Sequence, residues 1–321
     1  MVDTAAPKKK RGRWDGRTFT EALVRDFKQH KWKYLLIAPV IVYLAIFAYR
    51  PMQGLVIAFK DFRPALGIWG SRWSDPWYRH FQAWFTDPFF FRVVRNTFSL
   101  SFLNLVVGFP PPIILALLLN ELRSQKFKRV VQTITYMPFF ISIVVVASLV
   151  RTYFSFNGMF SQLAVFFGGQ QRNFLMESRF FYPIFVGSEL WQFVGWNSVI
   201  FLAVIASIDQ EQYEAARIDG ASRFQQMFRI TLPNLIPIIS LLLILRMGSI
   251  LNVSFERVLL LYNPAIYNVA DVISTYVYRR GLIDANFSFA TAVGIFNSVV
   301  NLFFLLTANY ISRRRTGQGL F

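Results

Sequence analysis

Few side chains in this 321-residue sequence are equipped for chemistry, and most of those that are fall in two places. The first set lies inside apolar stretches: Glu189, Trp191, Gln192, Trp196 and Asn197, followed further on by Arg246, Ser249, Asn252 and Glu256. Glu189 with Glu256 or Arg246 is the pairing that an acid–base couple would need. Cysteine is absent, which removes thiol nucleophiles, disulfides and thiolate metal sites. The two histidines, His30 and His80, stand at unrelated positions and leave little material for a relay or a zinc site. Polar and charged groups at membrane depth are costly, and they line a pathway or pair with one another. The rings of Trp191 and Trp196 beside the amides of Gln192 and Asn197 make an apolar surface with hydrogen-bonding edges, which suits a saccharide. Asn297 and Asn301, one turn apart near the end of the chain, are weaker members of the same set. The competing reading is that these groups serve as polar contacts between packed helices.

The second set occupies a polar insert, 208–233, between two apolar segments. Asp209 followed by Gln212 has the spacing of a helix capping box, flanked by Ile208 and Tyr213 as a hydrophobic staple. A helix from about Gln210 carries Glu214, Ala215, Ala216 and Arg217 and ends near Gly220, a residue suited to the left-handed conformation that closes a helix. Ser222 with Gln225 repeats the box and starts a second helix through Thr231, which Pro233 stops from running straight into the next segment. The product is a helix–turn–helix knob. Ala215, Ala216 and Ala221 admit a close-packed partner, Glu214 and Asp219 offer carboxylates to it, and Phe224, Met227 and Phe228 supply apolar grip.

The elements that must hold these two sets are membrane helices. Hydrophobic residues make up 55% of the chain and charged ones 16%, a balance outside the range of soluble domains. Six spans are expected, at 34–59, 93–119, 130–153, 181–207, 234–256 and 287–311, together forming an all-α integral membrane domain. The first span carries Pro39, Arg50 and Pro51, and three prolines at 110–112 should break the second. The region 1–33 is a basic tail, with a candidate interfacial helix from Thr18 to Tyr34. The region 312–321 is a short C-terminal tail. Ten of the 34 Lys and Arg precede residue 34, so both termini should face the cytoplasm by the positive-inside rule. The net charge of +17 then reflects orientation and anionic-lipid contact instead of nucleic-acid binding. Trp69, Trp73, Trp77 and Trp84 in the following segment read as an interfacial aromatic belt, with sugar stacking as the rival reading.

The order Glu214-Ala215-Ala216, three residues, Gly220, nine residues, Ile230-x-Leu232-Pro233 resembles the EAA signature of permease subunits of binding-protein-dependent ABC importers. Further stretches resemble the subfamily serving polysaccharides and complex sugars, among them Tyr49-Arg50-Pro51-Met52-Gln53-Gly54, Arg95-Asn96-Thr97, Tyr136-Met137-Pro138 and Asp271-Val272-Ile273. The resemblance implies a multi-pass protein of the cell inner membrane with the type I importer fold. It implies that the insert 208–233 couples to two ATP-binding subunits, which would carry ATP and magnesium, with no cofactor and no catalysis in this chain. It also implies a second homologous permease, an extracytoplasmic sugar-binding protein, and an oligo- or polysaccharide cargo with alginate as one candidate. An ion-coupled secondary transporter of a polar solute is the alternative. The break at 108–112 fits it, but no matching segment recurs in the second half.

Overall fold

Among the described residues, six helical stretches are long and apolar enough to cross a membrane: Lys31–Phe59, Phe90–Glu121, Ile143–Phe166, Ser178–Ala206, Arg223–Met247 and Phe287–Arg315. The computed structural model describes residues 26–317, 319 and 320, so the expected basic tail lies largely outside the described residues, as does the first half of the candidate interfacial helix. The chain divides into one unit up to Leu55 and a second from Val56 onward.

The first unit is an apolar rod. Helix α1 (Lys31–Leu44) passes into a π-turn over Ala45–Tyr49 and a further turn at Arg50–Met52. The wider turn sits just ahead of Pro51, whose missing N–H breaks the ladder, and so lets the spiral continue past it.

The second unit opens with a small hairpin, β1 (Lys60–Asp61) antiparallel to β2 (Arg72–Trp73). Lys60 is buried there, donating to Ile68 O at 2.8 Å with its ammonium 4.9 Å from the Trp73 ring centre. Asp61 Oδ1 accepts from Ser74 Oγ and from Arg79 Nη2, each at 2.8 Å. Burial pushes the Asp61 carboxyl up, but the Ser74 hydroxyl, Arg79 and His80 outweigh it and hold the group below the usual carboxylate range. Helix α2 (Arg79–Phe85) follows. Of the expected aromatic belt, Trp69, Trp73 and Trp77 are exposed, whereas Trp84 is a core residue packed on Phe90, Tyr276 and Phe289.

Helices α3 (Phe90–Gly108) and α4 (Pro110–Glu121) together make the second span. The break expected at the three prolines is only a hitch. Phe109 keeps helical dihedrals, φ −77° and ψ −41°, and its N–H still reaches Leu105 O at 3.2 Å. The prolines fall in the first turn of α4, where an absent N–H is least missed.

The span expected at 130–153 is instead divided. Helix α5 (Gln125–Tyr136) is amphipathic and ends in a tight turn over Met137–Phe140, and α6 (Ile143–Phe154) with α7 (Met159–Phe166) forms the membrane-length stretch. Pro138 and the Ser142 hydroxyl, which accepts from Val145 N at 3.4 Å, set the restart.

Helix α8 (Ser178–Ala206) is central and packs against α3, α4 and α5. Lipid tails are as apolar as leucine, so helices in a bilayer associate through close approach and polar bridges. Gly195 supplies the closest approach: a Cβ there would stand 2.1 Å from Thr135 O on α5.

Helix α9 (Gln210–Ile218) is followed by α10 (Arg223–Gln226), a π-turn over Met227–Thr231 and α11 (Leu232–Met247), the last three continuous. Pro233 therefore does not separate the insert from the fifth span. It falls in the first turn of α11, directly after a π-turn that absorbs the lost bond. The span ends at Met247, leaving Ser249, Asn252 and Glu256 beyond it, the last in α12 (Phe255–Leu261). Helix α13 (Ile273–Tyr278) follows. Helix α14 (Phe287–Thr316) starts at the Asn286 cap and closes on Gly317 at φ +69°, with Arg313, Arg314 and Arg315 in its last turn, where the helix dipole favours cations.

Candidate functional site

The insert folds into the knob that its caps dictate. Asp209 caps α9 by accepting from Glu211 N at 3.1 Å, while Gln212 is engaged elsewhere, accepting from Asn234 Nδ2 at 3.4 Å, so the first box does not form. Ile208 and Tyr213 are both buried, as a staple requires. Gly220 takes φ +76°, and Ala221 N donates to Ala216 O at 2.8 Å while Gly220 N donates to Arg217 O at 3.1 Å, the paired bonds of a left-handed helix end. The second box is complete: Gln225 N reaches Ser222 Oγ and Ser222 N reaches Gln225 Oε1 at 2.7 Å. A buried hydroxyl contact, Tyr213 Oη to Thr231 Oγ1 at 2.9 Å, ties the two arms together. Arg223 Nη1 donates to Glu121 O at 3.2 Å and anchors the knob to the end of α4.

Outward from this frame stand Glu214, Ala215, Arg217, Asp219, Gly220, Phe224 and Pro233, with Ala216, Ala221, Ile230 and Leu232 half-buried. Phe224 and Phe228 are exposed as expected, but Met227 turns inward against Ala116, Phe201 and Leu235. Its place on the surface is taken by Ile218, which is 87% exposed. The sequence marks it as an apolar residue in the last turn before Gly220.

The polar residues of the membrane interior separate into two groups. Glu189, Trp196, Asn197, Arg246 and Ser249 line a cavity of about 600 Å³ between α3, α4, α8 and α11. A neighbouring cavity of about 200 Å³ shares Glu189, Arg246 and Ser249 with it and adds Asn252. Arg246 Nη2 lies 3.6 Å from Glu189 Oε1, while Glu189 Oε2 is buried with no hydrogen-bond partner among the described residues. The Trp196 ring stacks on Phe139 with centroids 4.2 Å apart and planes 3° from parallel. Trp191, Gln192, Glu256 and Asn297 line neither cavity. Trp191 and Glu256 are exposed. Asn297 Nδ2 and Asn301 Nδ2 both donate to Asn252 Oδ1, at 3.1 and 3.3 Å, and Asn301 Oδ1 accepts from Leu251 N at 3.0 Å. These asparagines stitch α14 to the chain just past α11.

Gln192 belongs to a clamp that sequence reasoning missed. Its Nε2 donates to Ile141 O at 2.8 Å, at the restart of α6, and its Oε1 accepts from Arg257 Nη2. Arg257 is 1% exposed and also donates to Ser188 Oγ at 3.0 Å. Asn104, a second residue missed, faces both cavities from α3. Fully buried Asp271 receives Arg279 Nη2 at 2.6 Å and Thr275 Oγ1 at 2.9 Å. Burial lowers Arg279, but the Asp271 bond and charge prevail and raise it above the ordinary arginine value.

Residues 108–317 match the family model described as the binding-protein-dependent transport system inner membrane component. The chain is 45% identical to the protein LplB of Bacillus subtilis (strain 168) over 307 residues, covering 95% of each. It is 44% identical over 294 residues to the polygalacturonan/rhamnogalacturonan transport system permease protein YteP of the same strain, covering 91% of each. A crystal structure of a bacterial alginate ABC transporter, in complex with an alginate pentasaccharide-bound periplasmic protein, contains a similar chain. That chain superposes with a TM-score of 0.84 at 43% identity, over 92% of this chain and 99% of that one.

Proposed function

The chain belongs to the family of binding-protein-dependent transport system inner membrane components and is a permease subunit of an ABC importer of the sugar and polysaccharide class, and we propose that its knob converts closure of partner ATPases into alternating access of the cavity. The observation that carries this reading is the rigid knob at 208–233: short helices locked by a left-handed Gly220, a complete Ser222 box and a buried Tyr213–Thr231 brace, continuous with the fifth span. A displacement of such a unit reaches α11 without being lost in a hinge. Its exposed face, with Glu214, Ala215, Asp219, Ile218 and Phe224, suits a cleft on an ATP-binding subunit. ATP and magnesium act on that partner.

In the assembly we propose, this chain pairs with a second homologous permease on two ATPases, with its termini cytoplasmic. An extracytoplasmic binding protein delivers an oligo- or polysaccharide, with alginate as the candidate supported by the structural neighbour. The test is sugar-stimulated ATP hydrolysis and uptake by the complete complex in liposomes, comparing the intact chain with Glu214→Ala and Gly220→Pro. Loss of stimulation in a complex that still assembles is expected. Unaltered stimulation and uptake would overturn the coupling role.

A further inference from the structure

Three ionised side chains converge at the cavity, and their charges do not cancel. Arg257 is fixed behind the wall by Ser188 and Gln192, residues of α8 on either side of Glu189, and its bonded partners there are neutral. Arg246 faces the cavity with its side chain 47% exposed, and its 3.6 Å separation from Glu189 is too long for a hydrogen bond. Two guanidiniums thus stand around one carboxylate, and the one that faces the cavity, Arg246, is not hydrogen-bonded to it. The remaining polar lining, Asn104, Asn197 and Ser249, is neutral, and Glu256 lies outside it. Among the described residues, the positive charges in and behind the cavity wall exceed the negative by one.

We propose that the missing anion is the carboxylate of a hexuronate unit of the cargo, taken by Arg246, whose guanidinium faces the cavity and only loosely approaches Glu189; the proposal rests on the sugar-importer reading above. A planar carboxylate matches the two-pronged donor geometry of a guanidinium, which a neutral sugar cannot exploit. Around Arg246 the site supplies what the rest of a sugar ring requires. Asn197, Asn104 and Ser249 present amide and hydroxyl groups to its hydroxyls, and Trp196, held flat by Phe139, offers an apolar plate. The cavity, at about 600 Å³, falls in the size range of ligand pockets. Arg246 is therefore the specificity determinant that separates acidic from neutral saccharides.

The test uses the complete complex in liposomes with its loaded binding protein. Uptake of an oligouronate is compared with uptake of the same oligomer after its carboxylates are reduced to alcohols, with binding-protein loading by each sugar measured separately and kept saturating. Arg246→Gln should lower oligouronate uptake by about tenfold or more and leave the reduced oligomer within about twofold, and Arg246→Lys should recover part of the loss. An equal loss on both sugars would mean that Arg246 serves packing or pairs with an acid of the second permease, and would overturn the proposal. So would an unchanged preference. If the unmodified complex imports neither sugar, the importer reading itself fails.

Discussion

In the knob, the contacts that fix its shape join near neighbours. The Ser222 box spans 3 positions and the Tyr213–Thr231 brace 18. Around the cavity the reach is longer: 51 positions from Gln192 to Ile141, 65 from Arg257 to Gln192 and 50 from Asn301 to Leu251. Apart from the Arg223 anchor to α4 and the seat of Met227 in the bundle, the knob is closed on itself, and such a unit keeps its form when its surroundings shift. A site closed across the chain holds only while several helices keep their places, so displacement of one of them changes it.

The largest test of this contrast is Gln192→Leu. It removes the acceptor that faces Arg257 and leaves Ile141 O without its donor. A buried charge that loses a partner costs about 3 kcal/mol or more. The purified chain should melt at clearly lower temperature in detergent, and an unshifted melt would break the claim that the clamp holds the cavity. Ser222→Ala is the smaller, local counterpart. Loss of the cap should cost about 1 kcal/mol and raise hydrogen exchange at 222–226 with little change in global melting. Equal loosening across the bundle would erase the distinction.

The hairpin at 60–73 provides the mildest test. The folded Asp61 carboxyl is held below its ordinary value, so its contribution is complete above the unfolded carboxylate pKa of about 4 and is lost as pH falls through the depressed folded value. Fluorescence of Trp69, Trp73 and Trp77 should change on acidification into that range, and Asp61→Asn should flatten the change.

The same division explains what the sequence disclosed. Caps and left-handed turns are set by residues three to five apart, so Ser222, Gln225 and Gly220 could be read directly. Six spans followed from apolar length, but their ends did not, because proline reads as a stop whether or not a π-turn or a first helical turn accommodates it. Pro233 and the prolines at 110–112 therefore sit within continuous spans although each looks like a break. In the cavity, Glu189, Arg246, Trp196, Asn197 and Ser249 were visible as polar groups in apolar runs, yet nothing local distinguished Glu256 from Arg257. The two are adjacent on α12, about 100° apart around its axis, and that rotation leaves one exposed and buries the other. Orientation of that kind is decided by what the helix packs against.

The bare α-carbon of Gly195 would serve α8 as a fulcrum if its knob end were displaced. Backbone meets backbone there, with the Tyr136 ring alongside, and such a contact has less room to slide than one made by flexible side chains. From the fulcrum to Ala206, next to the knob, is about 16 Å of helix, and to Glu189 about 9 Å on the other arm. A sideways push at the knob end would arrive at Glu189 at roughly half its size and in the opposite direction. The long arm trades travel for force, which suits a cavity that has only to release an ion pair.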